Sequence, residues 1–426
     1  MKIQKILKRL LQLHPKSEPS TLNRIKRLLK DLHSPENKIS NLIQVVGTNG
    51  KHSFCVTLRE IIEKAGYTCN LNISPSLRKF NERYYFSGKY ISDEDLYNLL
   101  AEVEKINGDR SISFHEIITA AWILQASRNK SDLNIMEAGA LFRLDSSNVF
   151  QKNICSVVMP IGIDHRDFLK KGTIDEIIYE KCSHLLSGSK IFVSEQKDDA
   201  LEKIKKNIIN NSSKKFIFGE DYGYKKNTNG FVYEDNLGKV NLPFPNLLGD
   251  FQISNTSTAI AAARNFDQFK ITESHIKNAI TQVRSEGRLQ SITEGMLRKY
   301  VSKNNQIIID GAHNPLAATA LKKYLETLNK KRKIFMILAM MSNKEHKEFI
   351  QILKNKVHSI IALDIPNQIN FIKKEKLSEI AQACGILSKT ENSIEIALKN
   401  IANENENAII ICTGSLYFAA EILNLN

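Results

Sequence analysis

The sequence predicts an α/β fold in which mostly parallel sheets are covered by helices on both faces. Short β-branched runs alternate with helical patterns along most of the chain, as expected where helices connect parallel strands. Several runs end in clusters of glycine and polar residues, a pattern typical of the ligand crevice of an open α/β sheet. The chain has 426 residues, and single cores stop growing near roughly 250–300 residues, so we expect two domains.

The predicted elements fall into two blocks. The N-terminal segment MKIQKILKRLLQL is basic and Lys8 and Arg9 interrupt its apolar run, so we expect an amphipathic surface helix and not a secretory signal. Polar, glycine-rich residues 222–245 predict a small antiparallel piece. In the first block we predict strands at 43–46, 133–137, 156–161 and 190–194, with helices at 57–65, 114–126 and 174–186. In the second we predict strands at 307–310, 333–338, 359–363 and 408–412, with helices at 316–328 and 344–353.

The division between the blocks is expected within residues 283–295. It gives a larger domain over residues 1–286 and a smaller, Rossmann-like α/β domain over residues 287–426. The composition indicates which kind of partner the chain would bind. It has 60 Lys and Arg against 46 Asp and Glu, a formal charge of +14. Such an excess favours anionic partners: phosphates, carboxylates or nucleic acid. Six scattered cysteines without a C-x-x-C pair predict free thiols in a reducing cytoplasm. No apolar stretch of about 18 residues predicts a membrane span.

The segment VVGTNGKHS (45–53) places a turn of glycine and asparagine between a strand and a helix. Backbone N–H groups of such a turn can bind phosphate, and the helix N-terminus favours the anion. Lys51 would reach the terminal phosphates and Ser53 would bind Mg²⁺. The strict pattern G-x-x-x-x-G-K-[ST] is not met, because Val45 takes the first glycine position and His52 separates Lys51 from Ser53. A turn with a solvent-exposed lysine is the alternative.

Two further segments end predicted strands with polar residues. Glu137 closes LNIMEAG (133–139), where a carboxylate suits Mg²⁺ or caps the next helix. Asp164, His165 and Asp167 follow the strand of MPIGIDHRDFL (159–169). On its own, a histidine there is more commonly a hydrogen-bonded turn residue than a Mg²⁺ ligand. Lys181 lies in an amphipathic helix, and nothing in its sequence neighbourhood singles it out.

The second block carries one comparable segment, IIIDGAHNPLAA (307–318). A β-branched strand ends in Asp310 and is followed by a glycine turn, His313 and Asn314. Pro315 then stands at the first position of a predicted helix, where proline is favoured. The density of polar residues indicates a site at the carboxyl end of a strand, with a purely structural turn as the alternative.

Taken together and in this order, these segments resemble the folylpolyglutamate synthase and dihydrofolate synthase family of Mur-type ATP-dependent ligases. The resemblance covers about residues 22–423. It is carried by these motifs: GTNGK-x-S (47–53), SPSLRKFNER (74–83), F-x-E-x-x-TAA (114–121), E-x-G (137–139), R-L-D-x-x-N (143–148), IG-x-DH (161–165), EK (180–181), LLG-x-x-Q-x-x-N (247–255), GR (287–288), DGAHNP (310–315) and TGSLY (413–417).

The resemblance implies a P-loop ATPase domain of the Mur central-domain type, followed by the Rossmann-like domain. It implies that ATP activates a pterin or folate carboxylate as an acyl phosphate and that L-glutamate attacks it, in folate biosynthesis and one-carbon metabolism. One or two Mg²⁺ ions are implied, with carbamylation of Lys181. A cytoplasmic monomer acting on small molecules, without nucleic acid or membrane, is expected.

The resemblance also implies roles for individual residues. Catalytic roles fall to Lys51, Lys181, Arg288 and His313. Nucleotide binding falls to Asn49, Gly50, Lys51, His52, Ser53, Asn255, Arg288 and Asp310. Metal binding falls to Ser53, Ser74, Glu137, His165 and Lys181. Substrate binding falls to Phe80, Arg83, Phe114 and Glu116 on the pterin side, to Asp145, and to Ser415 and Tyr417 in the glutamate pocket.

Three departures from the family pattern bear on activity and specificity. Position 52 is histidine where the family usually has glycine, and its side chain would either crowd the phosphate or donate to it. GALFR (139–143) replaces GLGGR beside the pterin pocket, and MMSNKE (340–345) replaces GM-x-x-DK. Two alternatives therefore stay open. One is a Mur-type ligase for another acidic acceptor, and the other is a diverged, non-catalytic nucleotide- or nucleic-acid-binding protein.

Overall fold

The computed structural model describes residues 2–13 and 21–426, and it confirms an α/β fold. The helices, numbered in chain order, are α1 Lys2–Leu13, α2 Asn23–Asp31, α3 Lys51–Lys64, α4 Asp93–Asn107, α5 Phe114–Arg128, α6 Ile174–Cys182, α7 Asp198–Ile208, α8 Asp250–Arg264, α9 Glu273–Gln282, α10 Pro315–Thr327, α11 His346–Leu353, α12 Lys374–Ala383, α13 Ile394–Glu404 and α14 Leu416–Leu425. The strands are β1 Leu42–Val46, β2 Cys69–Asn72, β3 Tyr85–Phe86, β4 Lys89–Tyr90, β5 Leu133–Glu137, β6 Cys155–Val158, β7 Lys190–Val193, β8 Lys214–Ile217, β9 Tyr222–Asn227, β10 Gly230–Asp235, β11 Gly238–Pro243, β12 Gln290–Ile292, β13 Gln306–Ile309, β14 Ile334–Leu338, β15 Ser359–Ala362, β16 Leu387–Thr390 and β17 Ile409–Thr413.

The described residues form two compact units. The first takes in residues up to Ile161, Phe168–Asn246 and Ser254–Val283, and the second takes in Gly162–Asp167, Leu247–Ile253 and Arg284–Asn426. The domain boundary expected between residues 286 and 287 stays a prediction. No helix in the described ranges is long and apolar enough to cross a membrane.

The first unit is built on an eight-stranded sheet with the order β4-β3-β2-β5-β1-β6-β7-β8. Strands β2, β5, β1, β6, β7 and β8 are parallel, and β3 and β4 add an antiparallel edge. The central strand β1 is buried along its whole length, as expected for a parallel strand covered on both faces. The polar stretch predicted at 222–245 forms a separate antiparallel sheet of β9, β10 and β11.

The second unit is built on a six-stranded sheet with the order β12-β13-β17-β14-β15-β16. All neighbours are parallel except β12 and β13. Alternate residues of its strands, such as Met336 and Ile411, pack in one apolar core with Phe349 and Leu377 from the helices. The intervening residues, such as Ile337, are also buried, so both faces of this sheet are covered.

Two local details show how the sequence sets element ends. The strand predicted at 156–161 ends earlier, at Val158, since Pro160 has no N–H to donate to a ladder. Helix α1 is amphipathic as predicted: Ile3, Ile6 and Leu10 are buried, and the helix lies against α4.

Candidate active site

The loop between β1 and α3 requires glycine at two positions. A Cβ on Gly47 would lie 2.7 Å from the Cβ of Met159, which is closer than real side chains approach. Gly50 has a left-handed φ of 79° and is the N-cap of α3, a conformation that glycine adopts without strain. The predicted Gly- and Asn-rich turn therefore forms a tight loop that leads directly into a helix N-terminus.

Lys51 is not the solvent-exposed lysine of the alternative interpretation. Its side chain turns back over the loop, and Nζ donates to the carbonyl oxygens of Gly47 at 3.0 Å and Thr48 at 3.4 Å. The residue is 8% exposed. The amides of Thr48 and Asn49 donate to the carbonyl of Pro160 at 2.9 and 3.1 Å, so these two amides hold the loop against the segment after β6. The first turn of α3 is the part of the loop suited to bind an anion.

Glu137 and Ser53 are buried beside this loop. Glu137 ends β5, which pairs in parallel with β1 so that Glu137 is in register with Val45. Its Oε2 accepts the backbone N–H of Ser74 at 3.1 Å, while Ser53 lies in the first turn of α3. Carboxylate and hydroxyl oxygens are the ligands that Mg²⁺ prefers, and this ion keeps several waters or phosphate oxygens. The donors present therefore fit Mg²⁺, although no group of three His, Cys, Asp or Glu in the described residues is arranged to bind a metal.

Lys181 reaches the same loop from α6. Its Nζ donates to the carbonyl oxygens of Gly47 at 3.0 Å and Ala140 at 2.6 Å, and the residue is only 2% exposed. Lysine is almost never fully buried without a specific partner. The local sequence did not single out Lys181, whereas the resemblance gave it a catalytic and metal-binding role.

Asn255 and His52 complete the surroundings of the loop. A Cβ on Gly50 would lie 2.6 Å from the Oδ1 of Asn255, so this asparagine lies directly against the loop. His52 is half-buried in the first turn of α3. The predicted nucleotide residues of the first unit thus converge, with Lys51, Gly50 and Asn255 in one neighbourhood.

The predicted pterin-side residues form a second neighbourhood of the first unit. The rings of Phe80 and Phe114 meet edge to face at 6.0 Å, and the guanidinium of Arg83 lies 5.0 Å from the Phe80 ring centre. Arg83 also donates to Ser74 Oγ at 3.4 Å. Glu116 differs from this group, because it is buried and its Oε2 accepts from Arg24 Nε and the Ser113 amide.

Asp145 is a buried carboxylate with a defined set of partners. Its Oδ1 accepts from the amide and hydroxyl of Ser147 at 2.9 and 2.6 Å, and its Oδ2 lies 3.9 Å from Nε2 of His115. Burial alone would raise the pKa of Asp145, but the contact with His115, its charge and the bonds from Ser147 outweigh burial and lower the pKa to about 2. Sequence analysis did not identify His115.

The second unit gathers Arg288, Asp310 and His313 at the carboxyl end of β13. The carboxylate of Asp310 accepts the amides of Leu289 and Ala312, both at 2.9 Å. Burial raises the pKa of Asp310, against the opposing charge of Arg288. A Cβ on Gly311 would lie 2.6 Å from Arg288 Nη1. His313 contacts the carbonyl of Gly311 through Nδ1 at 2.8 Å.

Asp164 is the main residue of the second unit that sequence analysis left out of the site. Its Oδ2 lies 3.3 Å from Nε2 of His313. Burial opposes its charge, but the hydrogen bond and charge of His313, with the charges of His165 and Lys344, hold the pKa of Asp164 well below its usual range. The motif IG-x-DH contains this residue, so the signal was present in the sequence.

Ser415 and Tyr417 flank the start of α14. Ser415 is buried and caps the helix, with its Oγ accepting the amide of Tyr417 at 3.1 Å. Tyr417 is 38% exposed. Ser415 thus has a capping role that is independent of any ligand, and its predicted contact with glutamate stays a prediction.

The fold and these loops define a Mur-type ligase. The family model for the Mur ligase middle domain matches residues 45–263, and the model for the dihydrofolate synthetase C-terminal domain matches residues 293–425. The dihydrofolate synthase/folylpolyglutamate synthase of Buchnera aphidicola subsp. Acyrthosiphon pisum is 30% identical over 411 residues, spanning 95% of this chain and 93% of that protein. The chain belongs to the dihydrofolate synthase/folylpolyglutamate synthase family, and the predicted class of ATP-dependent ligase is confirmed.

Other relatives and solved structures are also similar to this chain over nearly its whole length. The Bacillus subtilis dihydrofolate synthase/folylpolyglutamate synthase is 26% identical over 427 residues, spanning 94% of both chains. The structure of Escherichia coli FolC in complex with DHPP and ADP has a TM-score of 0.87 at 24% identity, covering 99% of this chain and 97% of that one. The Yersinia pestis enzyme complexed with AMPPNP and Mn has the same TM-score at 22% identity, with the same coverage. These structures confirm the fold.

Proposed function

We propose that this ligase joins L-glutamate to a carboxylate of dihydropteroate or of a reduced folate, with hydrolysis of ATP to ADP and phosphate. The observation that carries the proposal is the convergence of two buried lysines on the Gly47 loop of a family member. A site with two ammonium groups and a helix N-terminus attracts a polyanion. The curated relatives are named for these two reactions.

The reaction proceeds in two displacements. A carboxylate oxygen of the acceptor attacks the γ-phosphorus, the bond to the β-γ bridging oxygen breaks, and ADP leaves. The glutamate nitrogen then attacks the acyl carbon of the acyl phosphate, the carbon–oxygen bond to phosphate breaks, and the nitrogen loses a proton. Catalysis of such steps depends on aligning anions and stabilising charge that develops on them.

The chain's residues supply these functions at stated atoms. Lys51 Nζ, now bonded to Gly47 and Thr48, would exchange these carbonyls for phosphate oxygens. Ser53 and Glu137 would bind Mg²⁺, with Ser74 as a further candidate, and the ion would neutralise phosphate charge. His165, of the second unit, is assigned to the metal by resemblance alone. Arg288, Asp310 and His313 would bind the nucleotide from the second unit.

The carbamylation proposed for Lys181 has a structural consequence. The ammonium of Lys181 now donates to two carbonyls, Gly47 and Ala140. A carbamate keeps a single N–H on that nitrogen, so one of these two bonds would be lost. The gain would be an anion beside the loop that can support a divalent cation.

The assay that tests the function uses the full chain with ATP, Mg²⁺ and glutamate, and either dihydropteroate or tetrahydrofolate as acceptor. We expect ADP release that depends on the acceptor and a product heavier by one glutamate residue. Release of ADP without any such product would contradict the folate proposal.

We further propose that the protein acts as a cytoplasmic monomer. The six cysteines are buried free thiols, which is in keeping with a reducing compartment.

A second acceptor class is tested in the same assay. GALFR (139–143) replaces GLGGR, and this loop contributes the Ala140 carbonyl that Lys181 contacts. Other glutamate-accepting carboxylates, presented as a panel with mass analysis of products, distinguish a Mur-type ligase of different specificity from a folate enzyme.

A further inference from the structure

The carboxylate of Asp164 is bonded on both of its oxygens within the second unit. Oδ1 accepts the backbone N–H of His165 at 2.8 Å and Nζ of Lys344 at 2.5 Å. Oδ2 accepts Nδ2 of Asn314 at 2.9 Å and lies 3.3 Å from Nε2 of His313. The side chains of Asp164 and Lys344 are 4% and 11% exposed. Asp164 thus joins three segments of the chain through buried contacts.

Two of these contacts connect Asp164 to other parts of the second unit, namely the start of α10 and the backbone at His165. Asn314 uses its other side-chain atom, Oδ1, to accept the amide of Ala317 and cap α10, so Asp164 is tied to a rigid helix end. His165 has a left-handed φ of 55°, which few residues other than glycine adopt. Its amide is bonded to the carboxylate that Lys344 neutralises. The backbone amide of His165 is therefore held by Asp164, whose buried charge is paired with Lys344.

The residues on either side of Lys344 make contacts of a different kind. Glu345 pairs with Arg166 at 2.9 Å, and Asn343 donates to Asp167 at 2.6 Å. Both contacts are exposed, and an exposed ion pair such as Arg166–Glu345 contributes about 0–1 kcal/mol. Lys344 is the member of this loop whose partner is buried, and a buried charge that loses its partner is costly.

We propose that Lys344 is a positioning residue that acts through Asp164 to orient His165 for binding the divalent cation. The inference rests on the proposed function, in which His165 is a metal ligand. Partners that orient a ligating histidine typically change metal affinity or activity by about 10–100-fold when they are removed. Lys344 itself needs no contact with ATP, glutamate or the acceptor for this role.

The test measures Mn²⁺ binding by the full-length chain directly, by electron paramagnetic resonance in the presence of a non-hydrolysable ATP analogue. We expect Lys344→Met to weaken Mn²⁺ binding by about 10-fold or more, and Lys344→Arg to stay within about 3-fold of the wild type. Glu345→Gln is the matched control in the same loop and should bind Mn²⁺ as the wild type does. Wild-type affinity in a folded Lys344→Met variant would overturn the inference.

A second variant separates positioning from simple charge balance. Lys344→Met leaves the carboxylate of Asp164 buried without its cation and lowers the melting temperature, whereas Asp164→Asn/Lys344→Met removes both charges and should recover stability. We expect the double variant to remain weak in Mn²⁺ binding. Recovery of both stability and affinity would show that Lys344 only balances charge, which contradicts the inference.

The same measurements distinguish a failure of the proposed reaction from a failure of the proposed role of Lys344. A wild-type chain that binds Mn²⁺ with nucleotide but ligates no glutamate would refute the proposed reaction and leave the role of Lys344 measurable. A wild-type chain that ligates glutamate, with an unchanged Mn²⁺ affinity in Lys344→Met, would refute only the role of Lys344.

Discussion

Lys51 and Lys181 donate hydrogen bonds to the same atom, the carbonyl oxygen of Gly47, each at 3.0 Å. Two buried ammonium groups that share one acceptor repel each other, and each also donates to a neutral carbonyl, Lys51 to that of Thr48 and Lys181 to that of Ala140. A bound polyphosphate would place negative charge against both ammonium groups. The arrangement is therefore suited to a nucleotide, and it makes the two lysines separately testable.

Lys51→Ala should lower ligation turnover by about 100-fold or more, which is the usual effect of removing one preorganised donor from a developing charge. The fold should persist, because the hydrogen bonds that Lys51 makes among the described residues are to carbonyls of its own loop. Turnover by ADP release and melting temperature by circular dichroism are the measurements. Lys64→Ala is the control, because Lys64 lies at the other end of the same helix, where it pairs with Glu60 at 3.6 Å. Near-normal turnover in Lys51→Ala would remove the phosphate-loop argument.

Lys181→Ala should lose activity that added bicarbonate does not restore. Wild-type enzyme depleted of carbon dioxide should, in contrast, lose activity and regain it with bicarbonate, because a carbamate forms from an amine and carbon dioxide. Steady-state ligation rates with and without bicarbonate are compared, with Lys206→Ala on the exposed surface of α7 as the control. Wild-type kinetics in Lys181→Ala would count against any catalytic role.

The fold was largely predictable because buried parallel strands read as apolar runs. β1, β5 and β7 of the first unit and β13, β14, β15 and β17 of the second were located within a residue or two of their observed ends, whereas β2, β8, β12 and β16 were not predicted. The short edge strands β3 and β4 were missed, since two residues each carry no periodic signal. Helix α4 was missed as well, although Ser92 caps it with a bond to the Asp95 amide, a pattern readable from sequence.

The site was predictable to the extent that its residues follow strands in sequence motifs. Long-range partners were not: no sequence spacing indicates that Lys181 meets Gly47 or that Lys344 meets Asp164. The burial of side chains in the altered loop at 139–143 was likewise not predictable from the sequence. Phe142 stands where the family has glycine and was weighed as a change near the substrate, yet its side chain is completely buried and contributes to packing.

Asp145 should make the stability of the first unit depend on pH. Its folded-state pKa of about 2 lies below the ordinary value near 3.9. The stabilisation, about 2 kcal/mol, is therefore fully present above about pH 4 and is lost as pH falls through the folded value. Asp145→Asn should lower the melting temperature by several degrees at pH 7, and by less toward pH 3. Melting curves across this range are the measurement, and a difference that stays constant with pH would contradict the assignment.

Glu116 has two possible roles to distinguish: a structural role at the start of α5, and the pterin-side role that the resemblance implies. Ser113 and Glu116 form a reciprocal capping box at the start of α5, which the spacing S-x-x-E predicts. The structure adds a buried ion pair, because Arg24 Nε donates to Glu116 Oε2 at 3.0 Å. Both contacts use the carboxylate for folding.

Arg24→Met should therefore destabilise the chain by about 3 kcal/mol, because it strands a buried charge, and adding Glu116→Gln should recover part of that loss. The acceptor KM of Glu116→Gln should stay within about 3-fold of the wild type. A double-mutant cycle on melting temperature and acceptor KM separates the two roles. A KM raised tenfold in Glu116→Gln at unchanged stability would instead place this carboxylate in contact with the pterin, since loss of a substrate bond changes binding without loosening the helix cap.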